Sequence, residues 1–381
     1  MPSAPDVAVI GGGIIGCSAA AILAERGANV LLFEATAIGA GASGRNLGAI
    51  QHPFDAALGP LYHASLTRYH ELAAVDAAFT MPARPAGVLM INRDPAASQR
   101  QVARLRAVVP DLEVEFVDAD AVAAAEPSLL PGFAACLLHT GYPIPPASAT
   151  AALAWLATQH GAEIRIGSSA EPRIEDGTVR GVKLADGTNQ AAGQVLIAAG
   201  PWSPPLVDAT GGWEPIKRTW GVTVQLDLGD AAPRHVIEED EVDAVNRPLV
   251  AAAKAAAGEA EADPHTLFTV AAAAGVSTLG STFLASEPDP ERIARLLIGR
   301  GAAYLPAIGT APVREIRVCA RPQSTDSRPF IGPVKGVEGL FVCAGHGPWG
   351  ISTGPASAAL VVEAMLDGRP VPRELAADRR V

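Results

Sequence analysis

Paired cysteines are the first thing this sequence lacks. Its four cysteines, Cys17, Cys136, Cys319 and Cys343, show no disulfide-type or zinc-type spacing, so no cystine frame or cysteine-held zinc is expected, and no metal is expected. Basic residues are scarce: 29 lysines and arginines against 40 acidic residues give a formal net charge of −11. No stretch concentrates positive charge, which excludes the basic face that a nucleic-acid partner requires. Apolar runs fall short of the roughly 20 residues that cross a bilayer, so membrane insertion is not expected. Pro2 and Asp6 stand where an export signal would carry its basic residues, and the expected compartment is the cytoplasm. There is no tandem period. What remains is a 381-residue chain, 49% hydrophobic, long enough to bury more than one core.

The pattern along the chain predicts α/β architecture with an α+β second domain. Asp6 to Ile10 reads as a buried strand, followed by a Gly-rich turn, an Ala-rich helix ending near Gly27 and a second strand from Asn29 to Glu34, a βαβ unit. The stretch "ATAIGAGASGRNLGAIQHP" then reads as a long small-residue loop, where a plain nicotinamide-type domain would place a helix. Helical periodicity returns in "DAALGPLYHASLTRYHELAAV" and from Pro146 to Gly161, and Arg84 to Asn92 looks like a strand. Ala162 to Gly200 alternates, with "EDG" and "ADG" as hairpin turns, and predicts an inserted β-meander. "GVTVQL", "TLFTVAAA" and "STLGSTFL" predict an antiparallel sheet in the second domain, and "PDPERIARLLIGRGAAYLP" an amphipathic helix. The acidic, then Ala-rich segment 238–264 reads as a solvated surface helix or a lid.

Gly11, Gly13 and Gly16 form G-x-G-x-x-G between a strand and a helix. The first allows the tight turn, the second lets backbone approach a pyrophosphate, and the third lets helix pack on strand. Glu34, closing the second strand, sits where a ribose 2′-hydroxyl would donate, which argues against a 2′-phosphate. Two further strands end in small-residue turns, "LIAAGPWS" at Leu196–Ser203 and "VCAGHGPWG" at Val342–Gly350. Three convergent turns suit a long ligand threading the domain, and FAD is the expected cofactor. Thr353 or Gly354 is expected to cap a helix with Pro355 at its first position, its dipole facing the flavin.

These motifs resemble the D-amino-acid-oxidase-like flavoproteins, in particular their glycine oxidase, D-amino acid dehydrogenase and sarcosine oxidase branches. "VIGGGIIG", "LLFEA", "GASGRNLGAI", "LIAAGPWS", "RPQSTDSRPFIG" and "GLFVCAGHGPWGIS" occur in that family's order over nearly the whole chain. The resemblance implies a Rossmann-like FAD-binding domain (residues 1–80, 141–218 and 321–381) with the meander inserted, and a substrate domain (81–140 and 219–320). It implies FAD contacts from Ile14, Ile15, Glu34, Ala35, Ala42, Ser43, Leu47, Gly48, Ala49, Ala170 and the turn His346, Gly347, Pro348, Trp349, Gly350, Ile351 and Ser352. Gly44, Arg45, Asn46, Ala199, Gly200, Trp202 and Gly345 complete the expected cofactor set, with Arg45 and Asn46 either at the flavin's polar edge or bracing their loop.

For the substrate, the resemblance points to Arg321 as the carboxylate anchor, a role suited to a guanidinium fork that stays charged; the alternative is an ion pair with Asp326. His52 and His346 are the histidines placed to accept a substrate proton or to serve as structural groups. Pro348, Trp220 and Trp349 are candidate pocket walls. Cys319 stands seven residues before Asp326, where sarcosine oxidase-like members carry a covalent flavin link, although Arg321 departs from that branch; a small buried thiol is the other reading. The expected activity is oxidation of the C–N bond of an amino or imino acid, hydride passing from the α-carbon to flavin N5 before imine hydrolysis, with oxygen or a quinone reoxidising the flavin. The rivals are an oxidase of a secondary amine lacking a carboxylate, and a non-catalytic or electron-transferring FAD subunit.

Overall fold

A computed structural model describes residues 5–240 and 266–380. The expected βαβ unit is present: Val7–Ile10 and Val30–Glu34 pair in parallel around the helix Ile14–Glu25. Both strands read as short apolar runs because both of their faces are covered. Gln194–Ile197 and Leu340–Ala344 extend the sheet on one side and Glu163–Ile166 on the other, all in parallel, while Phe330–Pro333 closes the edge antiparallel to Leu340–Ala344. The helices Ile14–Glu25, Gly59–Val75, Ser148–Gln159 and Gly350–Asp367 pack one core. On the opposite face Val179, Val182 and Ala192 of the meander segment pack with Ala8, Ile10, Leu31 and Val195.

The meander is shorter than expected. Its three antiparallel strands are Ala170–Glu175, Thr178–Leu184 and Asn189–Gln190. The flanking Glu163–Ile166 and Gln194–Ile197 belong to the parallel sheet instead. Alternation alone could not separate them, since edge and half-covered strands of either sheet carry it. The small-residue loop after Glu34 also holds a helical turn, Ala42–Arg45, and the two-residue strand Ala49–Ile50.

The second layer is an eight-stranded mixed sheet. Its order is Val313–Ser324, Ile216–Leu226, Val276–Thr282, Thr266–Ala273, Val236–Glu239, Val88–Asn92, Ala134–Leu138 and Val114–Val117. Antiparallel pairing prevails, with one parallel step between Val236–Glu239 and Val88–Asn92. Period two sorts its faces. Val222, Val224 and Leu226 pack with Ile293, Ala294 and Leu297 of the helix Pro290–Ala302, and Gly221 and Thr223, of the opposite parity, face the other way, where Thr223 Oγ1 donates to Arg45 O.

The expectation of a solvated segment at 238–264 fails at its start: Glu238 and Glu239 are buried in a strand. Residues 241–264 of that segment lie outside the described residues. Pro355 is likewise not a first-turn residue. The helix starts at Gly350, placing Pro355 inside it. Proline has no N–H to give the carbonyl four residues back, and that carbonyl, Ile351 O, accepts instead from the Tyr69 hydroxyl at 2.7 Å. Thr353 does not cap; its Oγ1 donates to Trp349 O. Among the described residues no helix is long and apolar enough to cross a membrane.

Candidate active site

The parallel strands deliver their turns to one edge, where ligands of open α/β sheets bind. Gly11, at φ +112°, sits so close to Ala198 that a Cβ would overlap its carbonyl, and a Cβ on Gly16 would overlap Gly11 O. The helix N-terminus is therefore drawn tight against the strands. Ser43 Oγ accepts from Ile14 N at 2.9 Å, tying the 42–45 turn to that helix. Glu34 Oε2 accepts from Gly12 N at 2.7 Å, and Oε1 from Thr36 N at 2.8 Å and Thr36 Oγ1 at 3.0 Å. The carboxylate is thus fixed at the mouth of the turn. Ala35 follows it on the surface, Ala170 opens the meander, and Ala199, Gly200 and Trp202 shape the turn after Gln194–Ile197.

The loop that follows is braced from within. Asn46 Nδ2 donates to Ser43 O at 2.7 Å, and its Oδ1 accepts from Gly48 N at 2.8 Å. Arg45 Nη1 donates to Val318 O at 2.8 Å, while Arg45 O accepts from Thr223 Oγ1 at 3.2 Å. Arg45 and Asn46 therefore join the loop to itself and to the large sheet, the loop-bracing alternative of the sequence reading.

Opposite lies the turn Gly345–Gly350. His346 is 2% exposed and its Nε2 has no hydrogen-bond partner. Burial pushes its pKa down to about 3, so the imidazole stays neutral rather than storing a proton. A buried polar atom without a partner asks for a ligand. Trp349 is buried edge-to-face against Phe54, 5.4 Å between centroids, as a core residue.

The large sheet presents Arg317, Cys319, Arg321 and Gln323 from one face of Val313–Ser324. Arg321 lies flat over Gly221, where any Cβ would overlap its guanidinium. Its Nη1 donates to Thr282 O at 2.7 Å and its Nη2 to Ser281 Oγ at 2.8 Å, and the guanidinium stands 4.5 Å from the Phe283 ring centroid. Desolvation lowers its pKa from the ordinary arginine value, but an arginine so shifted remains charged. The ion pair with Asp326 is not formed: Asp326 is held by Arg379 at 2.8 and 2.9 Å. Among the described residues no carboxylate meets Arg321. Trp220 falls on the other face, with the apolar cluster behind the sheet, because it has the strand parity of Val222 and not of Gly221.

The sequence reading missed two residues on this face, Glu238 and Thr269, and one that meets it from the segment after Ala49–Ile50, Gln51. Glu238 is 3% exposed; its Oε1 accepts from Gln51 Nε2 at 3.2 Å and its Oε2 has no partner. Burial raises its pKa to about 7. Thr269, the register partner of Glu238, leaves Oγ1 unpartnered, as Gln51 does Oε1. Gln51 N donates to Ser352 Oγ at 3.0 Å, which places these oxygens beside the C-terminal turn. The signal was period two: adjacent glutamates in an apolar strand must face opposite ways, and Glu239 indeed turns to Arg300, Tyr304 and Phe268 N. His52 points elsewhere, with Nδ1 on Pro53 O at 2.7 Å and Nε2 at 3.3 Å from Asp111.

These residues fit a dinucleotide: a Cβ-free cradle at a helix N-terminus, an oriented acid for a ribose, and an unpartnered imidazole nitrogen across the mouth. Comparison with known proteins agrees. A family model described as FAD dependent oxidoreductase matches residues 6–364. A glycine oxidase of Pseudomonas putida is 30% identical over 197 residues, 52% of this chain and 48% of that protein. A D-amino acid dehydrogenase of Cereibacter sphaeroides is 30% identical over 322 residues, 78% of this chain and 66% of that protein. The chain thus spans about half to two thirds of the length of these curated relatives. The crystal structure of glycine oxidase from Bacillus cereus superposes with a TM-score of 0.81 at 24% identity, covering 99% of each chain. That of iminodiacetate oxidase from Chelativorans superposes at 0.80 and 21% identity, covering 97% of this chain and 98% of the other.

Proposed function

The chain belongs to the family of FAD-dependent oxidoreductases, and from that premise we propose that it oxidises the C–N bond of an amino or imino acid, the carboxylate held by Arg321 and the amine received by Glu238. The observation that carries this reading is a half-buried guanidinium seated on Gly221, with no acidic partner among the described residues, on the same sheet face as buried oxygens without partners. An amino acid supplies both missing partners. Its carboxylate completes the Arg321 fork, and its N–H groups satisfy Glu238 Oε2 and Thr269 Oγ1, removing the cost of about 1–3 kcal/mol that each buried unpaired polar group carries.

Bound FAD supplies the two-electron acceptor for the hydride leaving the α-carbon. The chain's residues prepare that step. Glu238, with its pKa near 7, can take the ammonium proton so that the amine nitrogen is neutral when hydride leaves. The Arg321 contacts to Thr282 and Ser281 fix where the carboxylate sits and so orient the α-carbon. The imine then hydrolyses to an oxo acid and ammonia or an amine. The cradle 11–16, Glu34, Ser43 and His346 are assigned to the cofactor, and the five-segment division is kept in outline, with its boundaries at 218/219 and 320/321 moved because Ile216–Leu226 and Val313–Ser324, the latter bearing Arg321, each belong whole to the large sheet.

Anaerobic mixing of the FAD-loaded protein with D-, L-, N-methyl and cyclic amino acids and with their decarboxylated amines tests the proposal. Bleaching near 450 nm is expected only with the acids. Bleaching by the amines alone would favour an oxidase of carboxylate-free substrates, and no bleaching by any compound would favour an electron-transferring subunit. Reoxidation by air against reoxidation by a soluble quinone then identifies the acceptor.

A further inference from the structure

The imidazole of His52 has no part in the site above, yet it does not stand alone. We propose that His52, His63 and Asp111 form a binding site for a divalent transition cation of the zinc class, at the junction of the segment after Ala49–Ile50, the helix Gly59–Val75 and the loop before Val114–Val117.

Three donor atoms converge there, His52 Nε2, His63 Nε2 and Asp111 Oδ2, all within 4.8 Å of one another. Asp111 Oδ2 lies 3.3 Å from each imidazole nitrogen. Ligands about 2.0–2.1 Å from a tetrahedral zinc stand about 3.3 Å apart, so two edges of a coordination tetrahedron already have their length. The third edge closes by rotation of His63, whose side chain is exposed. Two imidazoles and one carboxylate select a first-row transition cation over magnesium or calcium, which prefer an all-oxygen shell.

The surroundings hold this arrangement in place. His52 Nδ1 faces Pro53 O at 2.7 Å; a carbonyl only accepts, so Nδ1 donates and Nε2 is the nitrogen left for coordination. Histidine ligands to metals are commonly oriented by such an outer bond. The ring is buried, tilted against Tyr62 at 4.7 Å, and the His52 backbone N donates to Thr140 Oγ1 at 2.9 Å. Gly59 leaves the space that the Asp111 carboxylate occupies, since a Cβ there would lie 2.7 Å from Oδ2. Exposure of His63 and Asp111 gives the ion a way in and leaves room for water as further ligand. A bound ion would clip Asp111, in the loop that leads into the large sheet's edge strand, to the two segments bearing the histidines.

The test is calorimetric titration of tag-free, FAD-loaded protein with Zn²⁺, with Mg²⁺ as the control, together with thermal midpoints. One Zn²⁺ per chain is expected, with a raised thermal midpoint and no response to Mg²⁺. His63→Ala and Asp111→Asn, both at exposed positions, are each expected to weaken Zn²⁺ binding at least tenfold and to abolish the midpoint shift. Absence of stoichiometric Zn²⁺ binding overturns the proposal, and so does binding that both variants retain unchanged. Because the readout is metal binding and not turnover, its failure leaves the amino-acid oxidation reading untouched.

Discussion

The two ends of the site are built from different material. At the nucleotide end the side chains around the glycine turn are already answered by the chain: Glu34 accepts from Gly12 and Thr36, Ser43 from Ile14, and Asn46 is tied within its own loop, while His346 Nε2 is left for the ligand. At the proposed substrate end Glu238, Thr269 and Gln51 each keep a buried atom without a partner, and Arg321 carries a charge with no acid beside it among the described residues. The first end is a rigid mould, preorganised for a ligand that stays. The second leaves polar groups unsatisfied, which is costly until a ligand arrives. Discrimination follows from that contrast, because a compound lacking the matching groups leaves the cost in place.

The contrast breaks most sharply at Arg321. If Arg321 holds the carboxylate as proposed, Arg321→Ala removes two charge-assisted hydrogen bonds to it, worth about 1.5–3 kcal/mol each. The expected result is a loss of roughly 10²- to 10⁴-fold in kcat/KM for amino acids, with the flavin spectrum retained. Steady-state kinetics alongside absorbance near 450 nm check it, and unchanged kinetics would end the anchoring role. Next comes Gly221→Ala, whose methyl would collide with the guanidinium. An overpacked site costs about 1–3 kcal/mol, and here the price should appear as KM for acids rising about tenfold. Equal loss with decarboxylated amines would assign Gly221 to sheet packing alone.

How much of this was legible in the sequence follows the same division. The mould is local: glycines at fixed offsets, an acid at a strand end, and small residues after strands, so Gly11–Gly16, Glu34 and the turn 345–350 could be read directly. The substrate face is assembled from strands far apart in sequence. Arg321 entered through its motif, but its flat seat over Gly221 depends on a pairing between residues about a hundred positions apart. Glu238 was concealed because the acidic segment it opens has the composition of a solvated helix; both glutamates are buried, and the register of Glu238 with Thr269 shows which of them faces the site. Trp220 was misplaced for the converse reason, since an aromatic near a motif gives no strand parity. Pro355 was taken for a helix start because its tyrosine substitute donor lies on another helix.

Glu238 supplies a pH test of intermediate size. Its carboxyl titrates near 7 in the fold against an ordinary value of 4.5, so the folded state binds this proton more tightly than the unfolded chain. That contribution to stability is fully present below about 4.5 and is lost as pH rises through about 7. At about 1.4 kcal/mol per unit the upper bound is about 3 kcal/mol. In the substrate-free protein, Glu238→Gln should remove this component of the decline in stability between those values, measured by denaturant titration at several pH values. The same variant should weaken amine recognition while leaving Arg321 in place, giving a KM for amino acids raised about tenfold. A stability slope that matches the unsubstituted protein would show that the carboxyl ionises freely and is not desolvated.

The smallest effect is expected at Cys319, and it decides which end of the site that residue belongs to. A thiol joins another group through its thiolate, and here burial raises the thiol pKa, outweighing the opposing pull of Arg321, Arg45 and Arg317. Cys319 also pairs in register with Gly221, the glycine that seats Arg321, so its place on the sheet is fixed by the same strand. Packing accounts for a small buried thiol without any bond to the cofactor. Acid precipitation should therefore release free FAD into the supernatant, and Cys319→Ser should change neither the flavin content nor the spectrum beyond measurement error. Yellow pellets from the unsubstituted protein that turn colourless in the serine variant would instead make Cys319 a covalent anchor, moving it from the adaptable substrate face to the fixed mould.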